Sequence, residues 1–179
     1  MSSIFPPLVA TAFELGLVSR DDIVSLADDT ISAVQAPPPW LIELSCAPSD
    51  SSPYDFGRLL PRDPAVTDDE YLAFCAYGWS HGVLELRKIG GLLYQRFCII
   101  SWKEMTPLRQ SIYVYDDELD WDVARALRTL TGILGPYVAL GDELITRIKK
   151  PNKALVPTPA SVTPAAGAPV APDAGAAHL

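Results

Sequence analysis

Apolar side chains recur at every third or fourth position through most of residues 20–149, and this spacing limits the possible folds more than any other feature of the sequence. It places them on one face of an α-helix, because a helix has about 3.6 residues per turn. After Thr67 the series reads Leu72, Cys75, Trp79, Val83 and Leu86. SIYVY at 111–115 is β-prone, and LLYQRFCII at 92–100 could be a buried strand, although that run has no partner of matching character. The sequence therefore predicts an all-α fold.

Two capping boxes predict where helices begin. They are formed by Ser19 with Asp22 and by Thr67 with Glu70. In this motif the hydroxyl accepts a hydrogen bond from the backbone three residues later, and the acidic side chain accepts one from the N-cap backbone. We predict one helix over residues 20–35 and another that starts directly after Thr67.

Prolines and glycines predict where the helices end. The prolines at 37–39 would end the first helix, since the residue before a proline is pushed out of the α region. A short apolar helix over 40–47 would follow, with Pro39 able to serve as its first residue. Gly90 and Gly91 predict a break in the helix that starts after Thr67, because each interior glycine costs about 1 kcal/mol relative to alanine. Further helices are predicted at 54–60, at 107–115, from an Asp120 N-cap to Gly135, and at 137–149.

The composition of the chain changes after Lys150. Residues 151–179 contain six prolines and nine alanines and no aromatic residue. Such a segment buries too little apolar surface to offset the chain entropy that folding removes. We expect a single compact multi-helix domain at 1–150, followed by a disordered Pro/Ala-rich tail at 151–179. An alternative is that the tail is a proline-rich ligand for a recognition domain.

The net charge of −8 belongs to the predicted domain, because Lys153 and Asp173 cancel within the tail. An acidic domain is repelled by nucleic-acid phosphates and by anionic lipid. We therefore expect a protein partner with a basic surface, and neither nucleic acid nor membrane. The alternative is that the acidity only keeps the protein soluble.

The cysteines and the N-terminal residues indicate a reducing compartment. Cys46, Cys75 and Cys98 are odd in number and lie far apart among apolar neighbours, which predicts buried free thiols. The N-terminal stretch lacks the basic region of a signal peptide, and no apolar run approaches the ~20 residues of a membrane span. The expected location is cytoplasmic.

An acidic run places five carboxylates within seven residues: Asp116, Asp117, Glu118, Asp120 and Asp122. One interpretation is the start of a helix, where negative charge is favourable. The other is a binding surface for a basic partner, to which Asp28 and Asp29 would add. A calcium loop would require Gly at its sixth position and Glu at its twelfth, and the chain has Trp121 and Leu127 there. We expect no metal site and no cofactor.

Residues 78–82 form a Gly-x-Ser-x-Gly segment, the pattern of the nucleophile elbow in α/β-hydrolases. That elbow requires a strand before Ser80, whereas the residues before it are predicted to be a capped helix. It also requires a histidine later in the chain, and only His178 in the predicted tail follows. We expect Trp79 in the core, Ser80 and His81 on the outer side of the helix, and no catalytic residue.

Two segments carry a resemblance to a known class of proteins: SLADDTISAVQAPPPWLIELSCA at 25–47 and IYVYDDELDW at 112–121. Together they resemble small helical proteins encoded beside bacterial polymorphic toxins, the immunity proteins. The resemblance implies a non-enzymatic protein-binding module that inhibits a toxin, and it implies no individual site residue. Two alternatives are a structural or adaptor protein tethered by its tail, and a hydrolase that uses the 78–82 segment.

Overall fold

A computed structural model describes residues 6–63, 65–99 and 105–150, and within them the fold is all-α, as predicted. The described residues include no strand and no helix long and apolar enough to cross a membrane. The predicted tail, 151–179, lies outside them. The helices are α1 (Pro6–Glu14), α2 (Arg20–Ala33), α3 (Pro39–Ser45), α4 (Pro53–Arg58), α5 (Asp68–Ser80), α6 (Leu86–Phe97), α7 (Pro107–Trp121), α8 (Val123–Leu134) and α9 (Val138–Lys149), with a 3-10 turn at Gly135–Tyr137.

Both predicted capping boxes are confirmed. At the start of α2, the Asp22 N–H donates to the Ser19 hydroxyl (3.1 Å) and the Ser19 N–H donates to the Asp22 carboxylate (2.8 Å). At the start of α5, the Glu70 N–H donates to the Thr67 hydroxyl (3.3 Å) and the Thr67 N–H donates to the Glu70 carboxylate (2.8 Å). Each box satisfies two backbone donors that a helix start would otherwise leave unpaired.

The break predicted at Gly90 and Gly91 occurs instead at Gly82, which has φ +65° and separates α5 from α6. Helix α6 continues without a break through Gly90 and Gly91. Packing holds Gly90 in the helix: a Cβ there would lie 3.2 Å from Cε1 of Tyr115 on α7. The Tyr115 hydroxyl also donates to the Leu86 carbonyl at 2.7 Å. Contact with α7 therefore outweighs the low helix propensity of glycine.

The α7 helix is longer than predicted. It continues past Tyr115 to Trp121, and the N-cap of α8 is Asp122 rather than Asp120. The β-prone stretch 111–115 is helical, because Ile112, Tyr115 and Leu119 share a face that is buried in the core. Burial of a helical face overrides the local β propensity of these residues.

Helix α1 was not predicted. It lacks a capping box, and its start is indicated only by Pro6 and Pro7, residues that are well tolerated in a first helical turn. Leu8, Val9 and Ala12 are buried against the rest of the domain. The helix ends at Glu14, and Gly16, two residues later, has φ +76°.

Helix α5 is the centre of the core: its residues 72–76 are all buried. α9 packs closely against α5, while α2 packs against α3 and α9. α7 and α8 form an antiparallel hairpin, and α6 also packs against α7. This arrangement leaves the outward face of the α7–α8 hairpin open to solvent.

The three cysteines are free thiols, as predicted, but only Cys75 and Cys98 are buried. Cys46 is exposed, so the prediction of its burial is wrong. It is the C-cap residue of α3, where the chain leaves the core. Burial raises the pKa of the Cys75 thiol to about 12, which keeps that thiol protonated and unreactive at neutral pH.

Candidate functional site

The acidic run lies at the end of α7 and in the turn to α8. Asp116, Asp117, Glu118 and Asp120 occupy the last turns of α7, and Asp122 alone stands at a helix start. The interpretation of the run as a helix start is therefore wrong for four of its five residues. The C-terminal end of a helix carries partial negative charge, so carboxylates there are unfavourable. We refer to the five residues as the acidic hairpin surface.

Three of the five carboxylates have structural roles. Glu118 pairs with Arg125 and accepts a 2.7 Å hydrogen bond from the Thr129 hydroxyl, and its side chain is only 11% exposed. Asp120 pairs with Arg87 at 2.8 Å and so connects α7 to α6. The third, Asp122, is the N-cap of α8 and accepts a 3.0 Å hydrogen bond from the Arg125 N–H. These contacts hold the end of the hairpin in place.

The other two carboxylates, Asp116 and Asp117, are exposed. Within the part of the chain that the structure describes, neither side chain makes a hydrogen bond or an ion pair. Both lie just before the last turn of α7. Contacts inside the described domain therefore give no account of why negative charge is placed there.

Trp121 is a part of this surface that the sequence interpretation missed. It is the last residue of α7 and is 89% exposed. Val114, Asp117 and Trp121 recur at helical spacing on the outward face of α7, opposite the buried face. The spacing of the apolar residues of α7 could have revealed this, because it defines the buried face and puts position 121 on the opposite side.

Asp28 and Asp29 lie apart from the acidic hairpin in the helix packing. They are on α2, which packs against α3 and α9, whereas α7 packs against α6 and α8. Asp28 accepts a hydrogen bond from the Ser45 hydroxyl and so connects α2 to α3. Asp29 is exposed. The structure thus groups the five carboxylates of the acidic hairpin and gives Asp28 a structural role elsewhere.

Both glycines of the 78–82 segment have structural roles at the end of α5. The Gly82 N–H donates to the Trp79 carbonyl (3.1 Å) and the Val83 N–H donates to the Gly78 carbonyl (2.8 Å), which is the Schellman pattern of a helix C-terminus. The positive φ of Gly82 suits that pattern. A Cβ on Gly78 would lie 2.4 Å from Cδ1 of Leu84, so the Leu84 side chain occupies that space. The structure of the C-terminal end of α5 therefore explains why both positions are glycine.

Ser80 and His81 are exposed, as predicted, and Trp79 packs against the core. The structure brings Asp142 of α9 to 3.5 Å from His81 Nε2, a neighbour that the sequence did not indicate. His81 Nδ1 lies 3.1 Å from both Ser80 Oγ and the Tyr77 carbonyl, and the Ser80 hydroxyl donates to that same carbonyl at 3.2 Å. The N–H groups of residues 82–84 donate to carbonyls of α5. These three N–H groups are therefore not free to form an oxyanion hole beside Ser80.

No family model, curated protein or solved structure matches this chain. Within residues 6–63, 65–99 and 105–150, no group of three or more His, Cys, Asp or Glu side chains is arranged to hold a metal ion. The acidic hairpin surface combines two exposed carboxylates that have no hydrogen-bond or ion-pair partner among the described residues with the 89% exposed indole of Trp121. It is the candidate functional site.

Proposed function

We propose that this chain is a non-enzymatic protein-binding module, and that it binds a basic partner protein through the acidic hairpin surface. The observation that supports the proposal is the position of Asp116 and Asp117. Both are exposed, they are adjacent, and neither side chain has a hydrogen-bond or ion-pair partner among the described residues. A basic partner would compensate these charges.

The charge of the whole chain supports the same proposal. The net charge of −8 belongs to residues 1–150, and two uncompensated carboxylates stand together on one helix. Complementary charge accelerates the encounter of two proteins and disfavours wrong partners more than it adds affinity. Rapid and selective capture is what an inhibitor of a toxin requires. We therefore propose that the chain acts in the cytoplasm as an immunity-type inhibitor of a bacterial toxin whose exposed surface is basic.

The test compares two charge reversals in the full-length chain. Asp116→Lys with Asp117→Lys changes the candidate site. The matched control, Glu43→Lys with Asp50→Lys, changes the net charge equally at two exposed acidic residues on and after α3. A partner captured by the wild-type chain is identified by mass spectrometry, and its association rate is measured for each variant over a range of salt concentrations.

We expect the first variant to associate at least about tenfold more slowly at low salt and to lose most of the salt dependence of the wild type. The control variant should keep most of both. Equal effects of the two variants would show that only net charge matters and would contradict a binding site on the hairpin. Co-expression with the captured partner tests inhibition: the wild-type chain should protect cells and the first variant should protect them less.

A further inference from the structure

We propose that Trp121 is the anchor of the acidic hairpin surface, and that it enters an apolar cleft whose rim carries arginine or lysine. This inference rests on the proposed function and specifies the partner's chemistry. Of the large apolar side chains that the structure describes, Trp121 is the most exposed at 89%, ahead of Tyr54 at 75%. Tryptophan is the residue type most enriched among side chains that dominate binding energy at interfaces.

The backbone under Trp121 is held on both sides. Glu118 connects α7 to α8 through Arg125 and Thr129, and Asp120 connects α7 to Arg87 of α6. Leu119 stands between these two acidic residues in the sequence, and its side chain is buried in the core. A partner would therefore meet an indole on a support that is already ordered, so little ordering is required on binding.

Negative charge surrounds the indole. Asp120 and Asp122 flank it in the sequence, and Asp117 lies one turn earlier on the same face of α7. An arginine or lysine at the rim of the partner's cleft could pair with Asp117, the one of these three carboxylates that has no hydrogen bond or ion pair among the described residues. It could also stack on the indole, whose face attracts cations. The apolar and the charged features of this surface thus fit one kind of partner.

The same charges disfavour other occupants of the surface. A second copy of the chain would bring an equally acidic surface, and nucleic acid or anionic lipid would bring phosphates. The Pro/Ala-rich segment 151–179 contains a single lysine and no arginine. A basic protein with an apolar cleft is the occupant that satisfies both the indole and the carboxylates.

The probe is a synthetic amphipathic peptide with arginine on one face and leucine on the other. Its control is the same peptide with every arginine replaced by glutamine. Binding to the full-length chain is measured by fluorescence anisotropy of labelled peptide and by the chemical shift of the Trp121 indole N–H. The variant is Trp121→Ala, and Tyr54→Ala is the matched control for loss of an exposed aromatic ring. Circular dichroism verifies that both variants fold.

We expect the arginine peptide to bind the wild-type chain and to shift the Trp121 indole signal. Trp121→Ala should weaken binding at least about tenfold, and Tyr54→Ala less than about twofold. Equal binding by wild type and Trp121→Ala, no binding by wild type, or equal binding of the glutamine peptide would each overturn the inference. Dimerisation that depends on Trp121, seen by sedimentation, would overturn it in favour of a second copy.

The two proposals can fail separately. If Asp116→Lys with Asp117→Lys slows the captured partner and Trp121→Ala leaves its affinity unchanged, the hairpin is the binding site and the tryptophan is not its anchor. If the charge reversal has no effect on the captured partner, the proposed function itself fails.

Discussion

Gly141 on α9 lies so close to Ala73 on α5 that a Cβ at position 141 would come within 2.3 Å of the Ala73 carbonyl oxygen. The two helices form the centre of the fold and are in contact along much of their length. The absence of a side chain at this one position sets how closely they approach. An added methyl group would meet backbone, which cannot move aside as a flexible side chain could.

We predict that Gly141→Ala destabilises the domain by about 1–3 kcal/mol, the usual range for overpacking of a core. Urea unfolding followed by circular dichroism measures the change. Gly91→Ala is the matched control, because Gly91 also lies inside a helix but faces open space. That change should stabilise the domain by up to about 1 kcal/mol through helix propensity alone. Similar effects of the two substitutions would contradict close packing at position 141.

Glu118 and Asp117 are neighbours in the acidic run, and we predict different effects of their removal on stability. Glu118→Ala removes the contacts to Arg125 and Thr129 and should cost about 1–3 kcal/mol. Asp117→Ala removes an exposed carboxylate that has no hydrogen-bond or ion-pair partner among the described residues, so stability should stay within about 0.5 kcal/mol of the wild type. Urea unfolding of both variants measures the difference. A loss of stability in Asp117→Ala would reveal an internal role for that carboxylate.

Ser80→Ala should leave the free energy of unfolding within about 0.5 kcal/mol of the wild type, since Ser80 is exposed and makes only local contacts at a helix end. Thermal unfolding measures the stability, and hydrolysis of a p-nitrophenyl ester measures any esterase activity. A wild-type activity that this substitution abolishes, in a folded protein, would restore the hydrolase alternative. His81→Ala would then be expected to abolish the activity too.

Of the three thiols, only that of Cys46 should react quickly in the native protein. Cys46 is exposed, whereas Cys75 and Cys98 are buried and burial raises the pKa of both thiols. The thiolate is the reactive form, so burial slows reaction through both access and protonation. A disulfide reagent added at pH 8 should show one fast phase, which Cys46→Ser removes, and further reaction only in denaturant. A fast phase that persists in Cys46→Ser would show that a second thiol reaches solvent.

The sequence alone determined the features that depend on residues close together in the chain. A capping box joins residues three positions apart, so the starts of α2 and α5 were predicted at the correct residues. The start of α3 at Pro39 was predicted from the same kind of local chemistry. The abundance of carboxylates at 116–122 was also visible, since composition needs no structure.

Only the tertiary structure decided where helices continue and which side chains remain exposed to solvent. Gly90 is helical because Tyr115, 25 positions later, packs against it, and α7 continues to Trp121 because its buried face extends past the β-prone stretch. That extension carries the acidic run from an expected helix start to a helix end. The same extension turns Trp121 outward and joins Glu118 to α8. Contacts between residues distant in the chain can outweigh local propensities of about 1 kcal/mol per residue, and local sequence patterns do not contain them.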